Sequence, residues 1–150
     1  MDAVSALRAS GLFEGFTETG LNILAGICAP RTYPVGTPLF VENMVADSLL
    51  VIAEGQVSLN TKGARGEDVF VGELGPGDWL GELSLISTSQ RLCTASAATA
   101  VTAYEIRQAD FHKLMGLKPQ ACMKLLMAIV THFGKKVFEN KDALKSLLSR

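Results

Sequence analysis

A chain of 150 residues, 48% of them apolar, is long enough to bury one hydrophobic core and reads as a single domain over residues 1–150. Basic and acidic residues nearly balance, 14 against 15 for a formal charge of -1, which argues against direct nucleic-acid binding. No run approaches the ~18 consecutive apolar residues of a membrane span, the opening MDAVSALRAS has no signal-peptide pattern, and Cys28, Cys93 and Cys122 lack metal or redox spacing. These features predict a cytoplasmic protein with no membrane contact and no metal.

The first 29 residues read as helical. Thr17 is placed as an N-cap, with Phe16 and Leu21 in the two staple positions of a helix reaching about Ile27, and that helix must end before Pro30. From Arg31 to Ile106 the period shortens to that of strands: Pro38 to Val41, Ser48 to Ala53, Gln56 to Thr61 and Val69 to Leu74, punctuated by Gly and Pro. No helix long enough for a parallel crossover separates them, so the pattern predicts an antiparallel sandwich or roll and excludes a Rossmann-like sheet. Helical periodicity returns around Asp110 to Met115, then runs from Pro119 to Leu148 as one helix of about 45 Å at ~1.5 Å per residue.

Along that last helix, Met123, Leu126, Val130, Phe133, Val137, Asn140, Leu144 and Leu147 alternate spacings of three and four, a heptad seam with one polar position suited to fixing register. Cys122, Leu125 and Ile129 form a second apolar edge. If that edge packs on the body, the seam is left for a second copy, so a homodimer is expected.

Chemistry concentrates between Gly72 and Thr94, GELGPGDWLGELSLISTSQRLCT. Its glycines mark tight turns, and Glu82 to Ile86 reads as one helical turn whose free N–H groups face an anion. Arg91 is the segment's only arginine. Its paired donors match two phosphate oxygens, while the Glu82 carboxylate can accept from a sugar hydroxyl; together they suit a sugar phosphate of one net charge. The same two residues could also form an ordinary surface salt bridge, so the pair alone does not decide. Trp79 reads as a hydrophobic plug beside them. Ser84 and Ser87 have no histidine near them to activate a nucleophile, and His112 and His132 lie in terminal helices rather than in a metal-holding barrel, so an enzyme is not expected.

The stretch L-G-P-G-D-x-x-G-E-L-S-L-I, followed by Arg91, resembles the phosphate-binding cassette of the cyclic nucleotide-binding domain family, found in catabolite activators, cyclic-nucleotide-dependent kinases and ion channels. G-L-F-E-G-F at the start, Tyr33 to Phe40, Asp47 to Gly55 and Ile106 to Phe111 fall in the family's order, so the likeness spans roughly residues 10 to 135. It implies a mainly β fold: an eight-stranded antiparallel β-roll, jelly-roll-like, over residues 30–106 with the cassette at 81–94, N-terminal helices before it and C-terminal helices over 107–150. It also implies roles for individual residues. Glu82 would accept from the ribose 2′-OH, Arg91 would hold the exocyclic phosphate oxygens, the backbone N–H groups of Leu83 and Ser84 would contact the same phosphate, and Gly81 would belong to the same ligand-binding set.

Two positions depart from the family pattern. Gln90 stands where Pro is usual, and Leu92 stands where a small residue is usual, adding bulk beside the phosphate. A hydroxyl at Leu92's position favours guanine, so its absence favours cAMP over cGMP. Lys136 and Val137 replace the hydroxyl pair with which catabolite activators read adenine, leaving His132, Lys136 and Phe138 as candidate caps over the base. The family's last helix converts occupancy into signal, here toward a separate effector protein. The competing expectation is a degenerate member kept as a dimerising interaction module, with a different ligand or none.

Overall fold

The computed structural model describes residues 1–149. Helix α1 (Ala3–Ala9), a 3-10 turn (Gly11–Phe13) and α2 (Glu18–Ala25) lead into the strands. Thr17 caps α2, its Oγ1 accepting the Gly20 N–H at 3.1 Å. The strands are β1 (Cys28–Tyr33), β2 (Pro38–Phe40), β3 (Val45–Ala46), β4 (Ser48–Glu54), β5 (Val57–Lys62), β6 (Asp68–Leu74), β7 (Trp79–Leu80), β8 (Ser89–Gln90), β9 (Thr94–Ala97) and β10 (Val101–Arg107). A second 3-10 turn (Glu82–Leu85) separates β7 from β8, and α3 (Gln108–Leu117), α4 (Pro119–Glu139) and α5 (Lys141–Leu148) follow.

Eight strands form two four-stranded sheets, β1-β10-β4-β7 and β2-β9-β5-β6, and every pairing is antiparallel. This is the expected roll. The remaining two strands, β3 and β8, make a small ladder of their own, Val45 with Gln90 and Ala46 with Ser89. Strand β1 begins before Pro30, earlier than the sequence suggested; as an edge strand paired only with β10, it tolerates a residue without an N–H.

Strand β4 organises the interior because all but its last residue are buried, and alternate side chains serve two cores. Leu49 and Val51 face the helices, meeting Leu12, Leu24, Leu85, Ile106 and Phe111. Leu50 and Ile52 face the inside of the roll with Phe40, Val57, Leu80 and Ala103. Each such side chain contributes about 1.5–3 kcal/mol on burial, so β4 is rigid where it passes beneath the glycine-rich segment.

The single long final helix expected from the sequence is not what forms. Helix α4 ends at Glu139 and α5 starts at Lys141, with Asn140 between them at φ -106° and ψ 23°. The Asn140 side-chain amide donates to the Lys136 carbonyl at 2.8 Å, beside the Asn140 backbone N–H at 3.1 Å, so both donors of the residue share one carbonyl at the helix end. The polar seam position thus turns back on its own helix. Helix α4 alone is about 31 Å long. Cys122, Leu125 and Ile129 are fully buried against the body, whereas Met123, Val130, Phe133, Val137, Leu144 and Leu147 are exposed and Leu126 is half-buried. Among the described residues no helix is long and apolar enough to cross a membrane.

Candidate functional site

The glycine-rich segment is delivered by β7, whose Leu80 pairs with Leu50 of β4. Gly81 then turns with φ +78°. A Cβ there would sit 2.3 Å from Arg91 Nη1 and 2.6 Å from the Ser48 carbonyl oxygen, so only glycine lets the guanidinium lie against this backbone. In the 3-10 turn that follows, the Ser84 N–H, expected from the sequence to face the phosphate, instead donates to the Gly81 carbonyl at 3.0 Å and closes the turn. Among the described residues, the N–H of Leu83 donates to no protein acceptor.

Arg91 is pinned through its backbone. Its N–H donates to the Met44 carbonyl and its own carbonyl accepts from Asn43, both at 2.8 Å, extending the β3–β8 ladder. The residue is 7% exposed. Its Cζ lies 4.2 Å from the centre of the Phe40 ring, a cation–π contact, and Nη2 donates to both the carbonyl and the hydroxyl of Ser48 at 3.2 Å. Nε is buried and has no partner among the described residues. Burial pushes the Arg91 pKa down, against the opposing pull of Asp47 and Glu105; a guanidinium nevertheless stays charged near neutrality.

Behind Ser48, a carboxylate completes the chain of bonds. The Ser48 hydroxyl donates to Glu105 Oε2 at 3.1 Å, and Glu105 Oε1 accepts from Arg31 at 3.0 Å and Arg107 at 3.4 Å. Burial works to raise the Glu105 pKa, but these hydrogen bonds and charges outweigh it and hold the carboxyl below its ordinary value.

Phe40, Ala46, Leu80, Gly81, Glu82, Leu83, Ser84 and Ser89 through Cys93 enclose a cavity of about 230 Å³. Gly81, Glu82, Leu83, Ser84, Arg91 and Leu92, all picked from the sequence, therefore meet around one space. Leu92 is 90% exposed and sits at the rim rather than filling the interior. A larger groove of about 580 Å³ runs between Gly11 to Phe16 and α4, lined by Leu12, Phe16, Met123 and Met127; it includes neither Glu82 nor Arg91.

The three candidate base caps occupy different surroundings. His132 packs edge-on against Trp79, ring centres 4.8 Å apart, and its Nε2 lies 3.2 Å from the Gly11 carbonyl. Lys136 places Nζ 3.3 Å from Glu82 Oε1, at the edge of the site. Phe138 is exposed beneath Lys141. None of the three lines the cavity. Sequence reasoning overlooked Phe40, Ser48 and Glu105. A serine opening an otherwise apolar strand was the one available hint.

Comparison with known proteins agrees with this geometry. Residues 30–117 match the family model described as the cyclic nucleotide-binding domain. The chain is 25% identical over 123 residues to the CRP-like cAMP-activated global transcriptional regulator of Mycobacterium tuberculosis, covering 82% of this chain and 55% of that protein. It is 33% identical over 135 residues to a cyclic nucleotide-gated potassium channel of Mesorhizobium japonicum, covering 90% and 34%. The N-terminal domain of a transcriptional regulator from Streptomyces coelicolor superposes with a TM-score of 0.80 at 27% identity, over 87% of this chain and 94% of that one. The chain spans about half the length of the transcriptional regulators it matches. By sequence match and by the roll that presents the cassette, the chain belongs to the cyclic nucleotide-binding domain family.

Proposed function

We propose that this chain is a cAMP-binding regulatory domain that captures the cyclic phosphate with Arg91 and the ribose with Glu82. The observation that carries the proposal is the Arg91 guanidinium, buried beside the cavity with its Nε donor unpaired. Burying a cation with unmet donors costs several kcal/mol, and a phosphate monoanion would restore both the charge balance and the hydrogen bonds. Nε–H and the remaining donors of the fork take the exocyclic oxygens, the free Leu83 N–H adds another, and the Glu82 carboxylate accepts from the 2′-OH. Gly81 and Ser84 shape the backbone around the same phosphate.

At about 230 Å³ the cavity is smaller than the ~300 Å³ at which pockets for whole drug-sized ligands begin. It therefore suits the sugar phosphate, with the base at the mouth near Leu92. Leu92 offers no hydroxyl to guanine, which favours adenine. No catalytic step is needed for this role, and the setting is cytoplasmic.

Output would run through α4. Lys136 Nζ lies 3.3 Å from Glu82 Oε1, so a ribose hydroxyl bonding to Glu82 would compete with that contact between the site and the helix. Such a ligand binds the two helix positions unequally, which is what a shift requires. The exposed seam residues from Val130 through Leu147 support homodimerisation and handing the signal to a separate effector. The regulators and the channel that the chain resembles are named for cAMP or cyclic-nucleotide control, which supports the same reading.

The test is calorimetric titration with cAMP and cGMP beside Arg91→Ala. Saturable cAMP binding that the variant loses is the expected result. Absence of heat with either nucleotide at millimolar concentration would overturn the reading. A dimer in sedimentation would then favour an interaction module, a role the exposed seam also fits.

A further inference from the structure

The cation that meets the phosphate is itself held from behind, and its support comes from a different sheet. Arg91 Nη2 donates to the Ser48 hydroxyl, that hydroxyl donates to Glu105 Oε2, and Glu105 Oε1 is tied to Arg31 and Arg107. Donor and acceptor roles run one way along this chain. A hydroxyl that donates to a carboxylate is a better acceptor for the next donor, because each bond polarises its neighbour. Ser48 is 3% exposed at the start of the rigid strand β4, so its hydroxyl has no water to turn to.

The arrangement also limits the guanidinium's freedom. Phe40 covers one face of the plane, Gly81 allows close approach along an edge, and Ser48 supplies both acceptors that fix Nη2. Of these contacts, only the Ser48 hydroxyl connects Arg91 to a charge. Without it, Nη2 keeps the Ser48 carbonyl alone and the plane can pivot about that single bond.

We infer that Ser48 is a positioning residue for phosphate recognition: through its hydroxyl, Glu105 orients the Arg91 guanidinium so that its free donors face the cavity. This rests on the nucleotide-binding reading above, but part of it can be tested without ligand. A hydrogen bond to a charged group contributes about 1.5–3 kcal/mol, so Ser48→Ala should weaken cAMP binding about tenfold or more. Ser48→Thr, which keeps the hydroxyl, should stay within about threefold of the parent. Glu105→Gln keeps an acceptor but removes its charge and should fall between the two.

The second readout is the Arg91 side-chain resonances in nitrogen-15 NMR of the ligand-free protein. Restricted rotation should give resolved Nη signals in the parent and Ser48→Thr, and averaged ones in Ser48→Ala, whereas a merely structural role would leave them unchanged in a folded variant. If the parent binds cAMP, unchanged affinity and unchanged Arg91 signals in Ser48→Ala overturn the assignment. If the parent binds no cyclic nucleotide, the function reading fails by that result, and the NMR comparison alone decides whether Ser48 orients Arg91.

Discussion

Replacing Gly81 with alanine should damage the fold and the site at once, by amounts that can be separated. The residue sits at φ +78°, where a side chain costs roughly 1–2 kcal/mol. Its new Cβ would also lie 2.3 Å from Arg91 Nη1 and 2.6 Å from the Ser48 carbonyl oxygen. The guanidinium can swing aside, but the Ser48 carbonyl belongs to buried β4 and cannot, which adds about 1–3 kcal/mol of overpacking. The sum, about 2–5 kcal/mol, corresponds to a fall in Tm on the order of 5–15 °C for a chain of this size. Gly36 is the control: its φ is +84° with open space around it, so Gly36→Ala carries the backbone cost alone. Urea unfolding gives the two stabilities, and titration with cAMP gives the two affinities. Gly81→Ala should be the less stable by the overpacking increment, and having displaced Arg91 it should bind at least tenfold more weakly. Equal stability and equal affinity in the two variants would refute the reasoning that this turn exists to admit the guanidinium.

Lys136→Ala removes the competitor for Glu82. An ion pair that is exposed on its lysine side contributes about 0–1 kcal/mol, so cAMP should bind up to about fivefold more tightly by calorimetry; a clear loss of affinity would mean that Lys136 contacts the nucleotide instead, as the base-cap idea from the sequence had it. Glu105 gives a pH signature. Its folded pKa lies below its ordinary 4.5, so its stabilisation is complete above that value and is lost as the pH falls through the folded pKa. The gap in unfolding free energy between the parent and Glu105→Gln should therefore be constant near neutrality and shrink below about pH 4.5, while other acids with lowered pKa, such as Glu18 and Glu42, act equally in both proteins; a gap that persists at pH 3 would contradict the network.

Local signals in the chain were legible because they are local. Thr17 capped its helix, the apolar run after Ser48 became the central strand, and the glycine-rich segment formed a turn with Glu82 and Arg91 on one cavity. The break at Asn140 was missed because an asparagine in a heptad seam serves equally as a register residue or as a local competitor for a backbone carbonyl, and spacing cannot tell these apart. Ser48 and Glu105 were invisible for a different reason. Arg91 reaches Ser48 across 43 residues and Ser48 reaches Glu105 across 57; these meetings depend on the register of β4 against β10 and on the β3–β8 ladder, neither of which the pattern of residue types encodes. The Lys136–Glu82 contact, 54 residues apart, belongs with them.

The two ends of the cavity differ in a way that bears on how occupancy could be transmitted. At the Arg91 end, the residue is held by backbone bonds on both sides, by Phe40 and by Ser48 at the buried start of β4. At the other end, Glu82 leads a four-residue turn and is tied to α4 by Lys136, whose side chain is 57% exposed. An anion arriving at the rigid end gains a preorganised partner and moves little. The same ligand's hydroxyl, arriving at Glu82, must displace a contact that the helix supplies. Affinity would then be set chiefly at Arg91 and response chiefly at Glu82, so a Ser48 variant should weaken binding without altering α4 in the saturated state. A Lys136 variant should do the reverse, leaving α4 already loosened before any ligand is added. Helix α5, none of whose residues is buried, follows that contact in the chain.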